Sequence, residues 1–139
     1  MRIKHIIMAG TILMLGAAIP AFGPSLAQKP ALAMLDQLEA GRWEVRIRGA
    51  AAGAVESVCI TNGRKLIQLR HPAQLCERTI VDDSPSSVTI HYSCQGKGYG
   101  LTHIRRESGR LVQIESQGIA DGSPFEFQAE ARKFGECAS

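Results

Sequence analysis

The stretch from Leu75 to Gln95, LCERTIVDDSPSSVTIHYSCQ, constrains this chain more than any other. Two alternating runs flank a turn-rich middle, and a cysteine stands near each end. Asp82-Asp83-Ser84-Pro85-Ser86-Ser87 concentrates turn formers, and Pro85 cannot occupy a central strand. A chain reversal about Pro85 sets Ile80 opposite Ile90, Arg78 opposite Tyr92 and Cys76 opposite Cys94. Residues two apart share a face, so Val88, Ile90, Tyr92 and Cys94 line one side, with Cys76 and Ile80 facing the same way from the partner strand. Opposed side chains lie about 4.5–5.5 Å apart at Cβ, close to what a disulfide needs. A slip of one residue breaks the apolar alignment and the cysteine alignment together. The register predicts a Cys76–Cys94 cross-strand bond.

The beginning of the chain has a different character. Arg2 and Lys4 precede an apolar run from Ile6 to Ile19 that contains no charge, and Pro20, Gly23 and Pro24 end it. Ser25-Leu26-Ala27 offers a small-x-small cleavage site, so residues 1–27 are expected to be a signal peptide and the mature chain to start at Gln28. The run is shorter than the ~18–20 residues a membrane-spanning helix requires, and no stable span is expected after cleavage. Removing Arg2 and Lys4 from 16 basic residues leaves 14 against 13 acidic ones, a net charge of +1. A nucleic-acid partner normally calls for a strong basic stripe, and none is expected here. Cys59, Cys76, Cys94 and Cys137 all follow the leader, and an even count in a small exported chain implies two disulfides. Residues 28–139 are long enough for one modest core and too short for two domains.

Along that stretch the hydrophobic period is first helical and then two. Ala31 to Ala40 carries Leu32, Leu35 and Leu38 on one stripe between Pro30 and Gly41, a short helix. Trp43, Val45 and Ile47 then alternate with Glu44, Arg46 and Arg48, a half-buried strand. Gly49 to Gly53 connects it to a second strand, Ala54 to Thr61. Between Arg64 and Ala73, Leu66, Ile67 and Leu69 suit a helical turn ended by Pro72. The cysteine hairpin follows, then strands from Leu101 to Arg106 and from Arg110 to Ile119. A three-residue loop with Gly109 left-handed sets Ile104 against Val112 and Thr102 against Ile114. Asp121-Gly122 marks a turn into a last strand, Ser123 to Lys133, with Phe125, Phe127, Ala129 and Ala131 inward. Cys59 is then left as the partner of Cys137. The fold expected is all-β: an antiparallel meander of about seven strands forming a curled sheet or small barrel, with Trp43, Tyr92, Phe125 and Phe127 inside.

Chemical motifs are sparse. His71, His91 and His103 have neither histidine nor cysteine at metal-ligand spacing, so no metal and no cofactor is expected. There is no Cys-x-x-Cys and no Gly-x-Ser-x-Gly, and hence no catalytic residue to name. Gln95-Gly96-Lys97-Gly98-Tyr99-Gly100 lacks the Lys-Ser/Thr of a phosphate loop and lies between strands. Asp82-Asp83 is turn chemistry and does not make an oxygen cage for calcium. Arg46, Arg48, Arg105 and Arg106, with His103, are the candidates for a binding patch toward an anionic lipid or polysaccharide. Glu44, Glu107 and Glu115 stand ready to balance them.

Gly41-Arg42-Trp43-Glu44, Cys59-Ile60-Thr61, Cys76, Tyr92-Ser93-Cys94, Gly98-Tyr99-Gly100 and Gly135-Glu136-Cys137 occur in an order that resembles the domain of unknown function 3617 family. The resemblance runs from about Leu38 to Cys137. It implies a small exported protein of Gram-negative bacteria, periplasmic and without assigned activity, and it carries over no catalytic residue. The connection after the first strand is shorter here than is typical of that family. The expected function is a non-enzymatic binding domain for a protein or another envelope component. A small-ligand carrier using a barrel interior and an inhibitor of an envelope hydrolase are the alternatives.

Overall fold

The computed structural model describes residues 31–49 and 55–138. The proposed leader, its cleavage site, Gln28 and most of the Gly49–Gly53 connection lie outside these residues. Seven antiparallel strands form one sheet: β1 (Gly41–Ile47), β2 (Val55–Ile60), β3 (Cys76–Asp83), β4 (Ser87–Cys94), β5 (Gly98–Ser108), β6 (Leu111–Ala120) and β7 (Ser123–Gly135). A single helical turn, α1 (Ala33–Asp36), precedes β1, and a 3-10 turn (Gly63–Leu66) lies between β2 and β3.

The strand order is β2-β1-β7-β6-β5-β4-β3. From β3 to β7 this is the expected meander. The first hairpin departs from it, because β1 lies between β2 and β7 and β2 is not the neighbour of β3. A closed ring would also join β2 to β3; the sheet is open at that seam, and residues 61–75 pass from one edge to the other. Both edge strands are stapled. Cys76–Cys94 ties β3 to β4, with Cα atoms 4.2 Å apart, and Cys59–Cys137 ties β2 to the chain end beyond β7, at 5.7 Å. An edge strand has a hydrogen-bonded neighbour on one side only, so each bond secures a strand that the ladder holds least.

The β3–β4 register is the expected one at Cys76↔Cys94, Arg78↔Tyr92 and Ile80↔Ile90. A bulge at Val81 follows, and Ile80 is 42% exposed where its alignment placed it with the apolar row. The β5–β6 pairing differs from expectation by two residues: Ile104 faces Ile114 and Thr102 faces Ser116. Arg106 pairs with Val112, and a bulge at Glu107 brings Ser108 opposite Leu111. The Ser108 hydroxyl accepts the Arg110 N–H at 3.1 Å, which closes the turn around Gly109-Arg110 without a left-handed Gly109. A shift of two leaves every side chain on its own face. The Asp121-Gly122 turn has φ of 49° and 80°, positive at both central positions as a tight hairpin turn of the sheet's hand requires.

One face of the sheet builds the core. Trp43, Val45, Val88, Ile90, Tyr92, Ile104, Val112, Ile114, Phe127, Ala129 and Ala131 are buried there. Met34, Leu35 and Leu38 cover one part of it, and Leu66 and Ile67 another. The helix expected over Ala31–Ala40 is one turn long because its flanks are held by neighbours. Leu32 is left-handed (φ 59°), and its N–H donates to the Asp83 carboxylate at 2.9 Å. After the turn, the Glu39 N–H donates to Gly109 O and its carbonyl accepts Trp43 Nε1, each at 2.9 Å. The 61–75 segment is fixed from below by Thr102, whose hydroxyl donates to Ile67 O at 2.7 Å and accepts from Ser116 at 2.8 Å. Gln68 then bridges the carbonyls of His71 and Gln74 and accepts Arg78 Nη2, all within 2.8 Å.

Candidate functional site

Alternation along the strands leaves the second face of the sheet polar and solvent-facing. It collects Arg46 and Arg48 from β1, Thr89 and His91 from β4, Leu101, His103 and Arg105 from β5, Gln113, Glu115 and Gln117 from β6, and Glu126, Gln128 and Glu130 from β7. Two adjoining depressions, of about 180 and 160 Å³, share His103, Glu115 and Gln128 and form one furrow across β5, β6 and β7. Leu101, Gln117 and Glu126 line one end; Arg48, Arg105 and Gln113 line the other.

Of the five residues proposed for a binding patch, the furrow brings together Arg48, His103 and Arg105. Arg46 lines a separate hollow with Glu44, Glu130, Arg132 and Phe134. Arg106 is on the opposite face: its Nη2 donates to Pro85 O at 3.3 Å and its backbone N–H to Ser86 O, so it braces the β3–β4 turn. Its Nε is buried with no hydrogen-bond partner among the described residues.

The arginines do not add up to a basic patch. Arg105 is paired with Glu107 at 2.6 Å. Arg48 donates to Gln113 Oε1 at 2.6 Å, Gln113 donates to Glu130 at 3.4 Å, and Arg132 meets the same carboxylate at 3.2 Å. The Arg132 hydrogen bond, opposed by partial burial and reinforced by Gln113 and by the Arg132 and Arg48 charges, holds the Glu130 carboxyl below its usual range. The furrow as a whole holds two arginines, Arg48 and Arg105, and two glutamates, Glu115 and Glu126. Carboxylates thus stand beside the outward arginines, as Glu44, Glu107 and Glu115 already suggested in the sequence.

His103 is half-buried, and its Nδ1 shares a hydrogen bond with Thr89 Oγ1 at 2.9 Å. This bond orients the imidazole where it lines the furrow. Among the described residues no ion pair involves the His103 ring. Glu115, Gln117, Glu126 and Gln128 make no side-chain hydrogen bond among the described residues. The furrow thus offers two amides and two carboxylates whose hydrogen-bonding capacity is unused among the described residues.

Sequence reading missed a buried polar pair beneath the other face. His71 is 3% exposed and Tyr92 is fully buried. His71 Nε2 lies 3.0 Å from the Lys97 carbonyl, which can only accept; that nitrogen therefore carries the proton, and in the neutral ring Nδ1 accepts the Tyr92 hydroxyl at 3.2 Å. The lone histidine carries no local signal for this, since its partners come from β4 and the β4–β5 turn. Burial, partly offset by the Arg70 charge, raises the Tyr92 pKa above its ordinary value. The fold favours the protonated phenol, so this contribution is whole below pH ~10 and is lost as pH rises beyond it. Urea unfolding of Tyr92→Phe should show about 1 kcal/mol less stability at pH 7 from the lost hydrogen bond, and a shallower alkaline decline than the parent. Parallel alkaline slopes would refute the assignment.

Two other surfaces were not evident in the sequence. β3 is exposed on both faces from Glu77 to Asp83, with Val81 at 62% and Ile80 at 42%. At the open seam a groove of about 930 Å³ runs between β2 and β3 over residues 61–74, with Arg64, Lys65, Gln68 and Arg78 among its walls. Arg64 there is ion-paired to Asp36, whose carboxyl this bond holds below its usual range. Among the described residues there is no helix long and apolar enough to cross a membrane and no cluster suited to a metal ion. No family model, no curated protein and no solved structure matches this chain.

Proposed function

We propose that the chain is an exported, non-enzymatic binding domain of the Gram-negative periplasm, and that the furrow around His103 is its recognition surface. The observation that carries this reading is the division of labour between the faces. One is consumed by the core, while the other, uncovered by any layer among the described residues, gathers oriented polar groups over three adjacent strands. The apolar leader and the complete pairing of the cysteines support export. The order of the cysteine and glycine motifs supports membership of the domain of unknown function 3617 family. An interior carrier draws less support, because Trp43, Tyr92, Met34 and Leu35 occupy the space that a ligand would need.

A second reading, a protein partner added as a strand along β3, rests on the exposed Ile80 and Val81 at an unpaired edge. One experiment separates the two. Wild type released by osmotic shock should begin at Gln28 and co-sediment with a purified envelope fraction. The triple variant Arg48→Ala/His103→Ala/Arg105→Ala should lose most of the bound protein, whereas Val81→Lys should retain it. The reverse result transfers recognition to β3, and recovery of the chain only in the cytoplasm overturns the export reading.

A further inference from the structure

The furrow continues toward the β4–β5 turn into a surface of different chemistry. Tyr99, two residues before Leu101 on β5, is 49% exposed and shares its face. Its ring leans on His91 with centroids 6.0 Å apart, so the platform is held in place. Ile119 is its partner on β6 and Pro124 stands beyond on β7, giving an apolar rung across the sheet. From Tyr99 to Arg105 the β5 side chains Tyr99, Leu101, His103 and Arg105 extend for about 20 Å, at ~3.3 Å per residue.

We infer that this strip takes a neutral oligosaccharide chain, lying along β5 with one sugar ring stacked on Tyr99. The inference rests on the furrow being the recognition surface and names its ligand class. Three features select the ligand. Arginines and glutamates balance, which removes the attraction that a polyanion requires. Gln117 and Gln128 each offer two donors and an acceptor, and Glu115 and Glu126 accept; interleaved in this way they suit vicinal hydroxyls, which are donors and acceptors at once. The exposed aromatic ring supplies a flat apolar face for the C–H side of a sugar. An extended peptide would seek backbone hydrogen bonds, and the central strands of this face have none to give, because β5, β6 and β7 are paired on both edges.

Two-dimensional amide NMR of the disulfide-intact chain tests this, with chitotetraose and maltotetraose as neutral probes and polygalacturonate as the anionic one. A neutral tetrasaccharide should shift the signals of Tyr99, Leu101, His103, Gln117 and Gln128. Tyr99→Ala should weaken its binding by about tenfold, within the range of one aromatic contact. Gln117→Ala, at an exposed position, should weaken it as well without lowering the melting temperature. Failure of both neutral probes to shift the furrow overturns the inference, as does stronger, salt-sensitive binding of polygalacturonate. Digesting the envelope fraction with glycan-cleaving hydrolases separates this failure from that of the parent reading. Retention that survives digestion yet still needs Arg48, His103 and Arg105 rejects the saccharide and leaves the furrow in place.

Discussion

Replacing Cys59 and Cys137 together by serine is expected to cost about 4–5 kcal/mol in urea unfolding, against about 3 kcal/mol for the Cys76/Cys94 pair. The difference follows from the loops closed, 78 residues in the first case and 18 in the second. The first bond constrains more of the unfolded chain. It also holds β2, which among the described residues has β1 as its only ladder neighbour and begins the crossing to the far edge of the sheet. Hydrogen exchange on the Cys59→Ser/Cys137→Ser variant should show β2 and residues 61–75 opening first, with β5, β6 and β7 protected longest. Equal losses for the two pairs, or uniform exchange along the chain, would show that the long bond does not staple the edge.

The second large effect concerns Tyr92. Its ring lies across β5 at Gly100, where an added Cβ would stand 2.5 Å from Cζ and from the hydroxyl oxygen. Gly100→Ala is therefore expected to cost about 3 kcal/mol, at the upper end for overpacking, because Tyr92 is fully buried. Tyr92→Val alone removes a buried ring and should cost ~3 kcal/mol or more. Combined, the two should cost at least ~1 kcal/mol less than their sum, since the valine vacates the space the alanine needs. Gly118 provides the contrast. There an added Cβ would press into the Tyr99 carbonyl, which is backbone, and Tyr92→Val should give Gly118→Ala no relief. Strict additivity at Gly100 would mean that the glycine serves the strand and not the ring.

Local interactions made much of this legible beforehand. The β3–β4 hairpin could be aligned because its turn, its apolar row and its two cysteines lie within one short stretch and agree on one register. The second disulfide followed by elimination. On β5 and β6 the pairing differs from expectation by two residues, yet Ile104, Val112 and Ile114 are all buried, because period-two alternation survives an even shift. The same alternation already assigns Arg105 and Arg106 to opposite faces, so their separation was open to view in the sequence.

What could not be read there depends on neighbours distant in the chain. Alternation specified which side chains of the central strands turn inward and that Arg48, His103 and Arg105 point away from the core, while the hairpin register and elimination paired the cysteines. It could not specify that β1 joins β7, since strand pairing has no local signature when 75 residues separate the two strands. That single pairing leaves the seam between β2 and β3, exposes β3 on both sides and carries Arg48 beside Gln113 and Gln128. His71 became a buried partner of Tyr92 for the same reason, because a segment crossing the open seam presses it onto the sheet. Sequence alone determined the inward and outward sense of the side chains, through the two-residue period of a strand. Tertiary structure decided which outward side chains meet, because that depends on strand order.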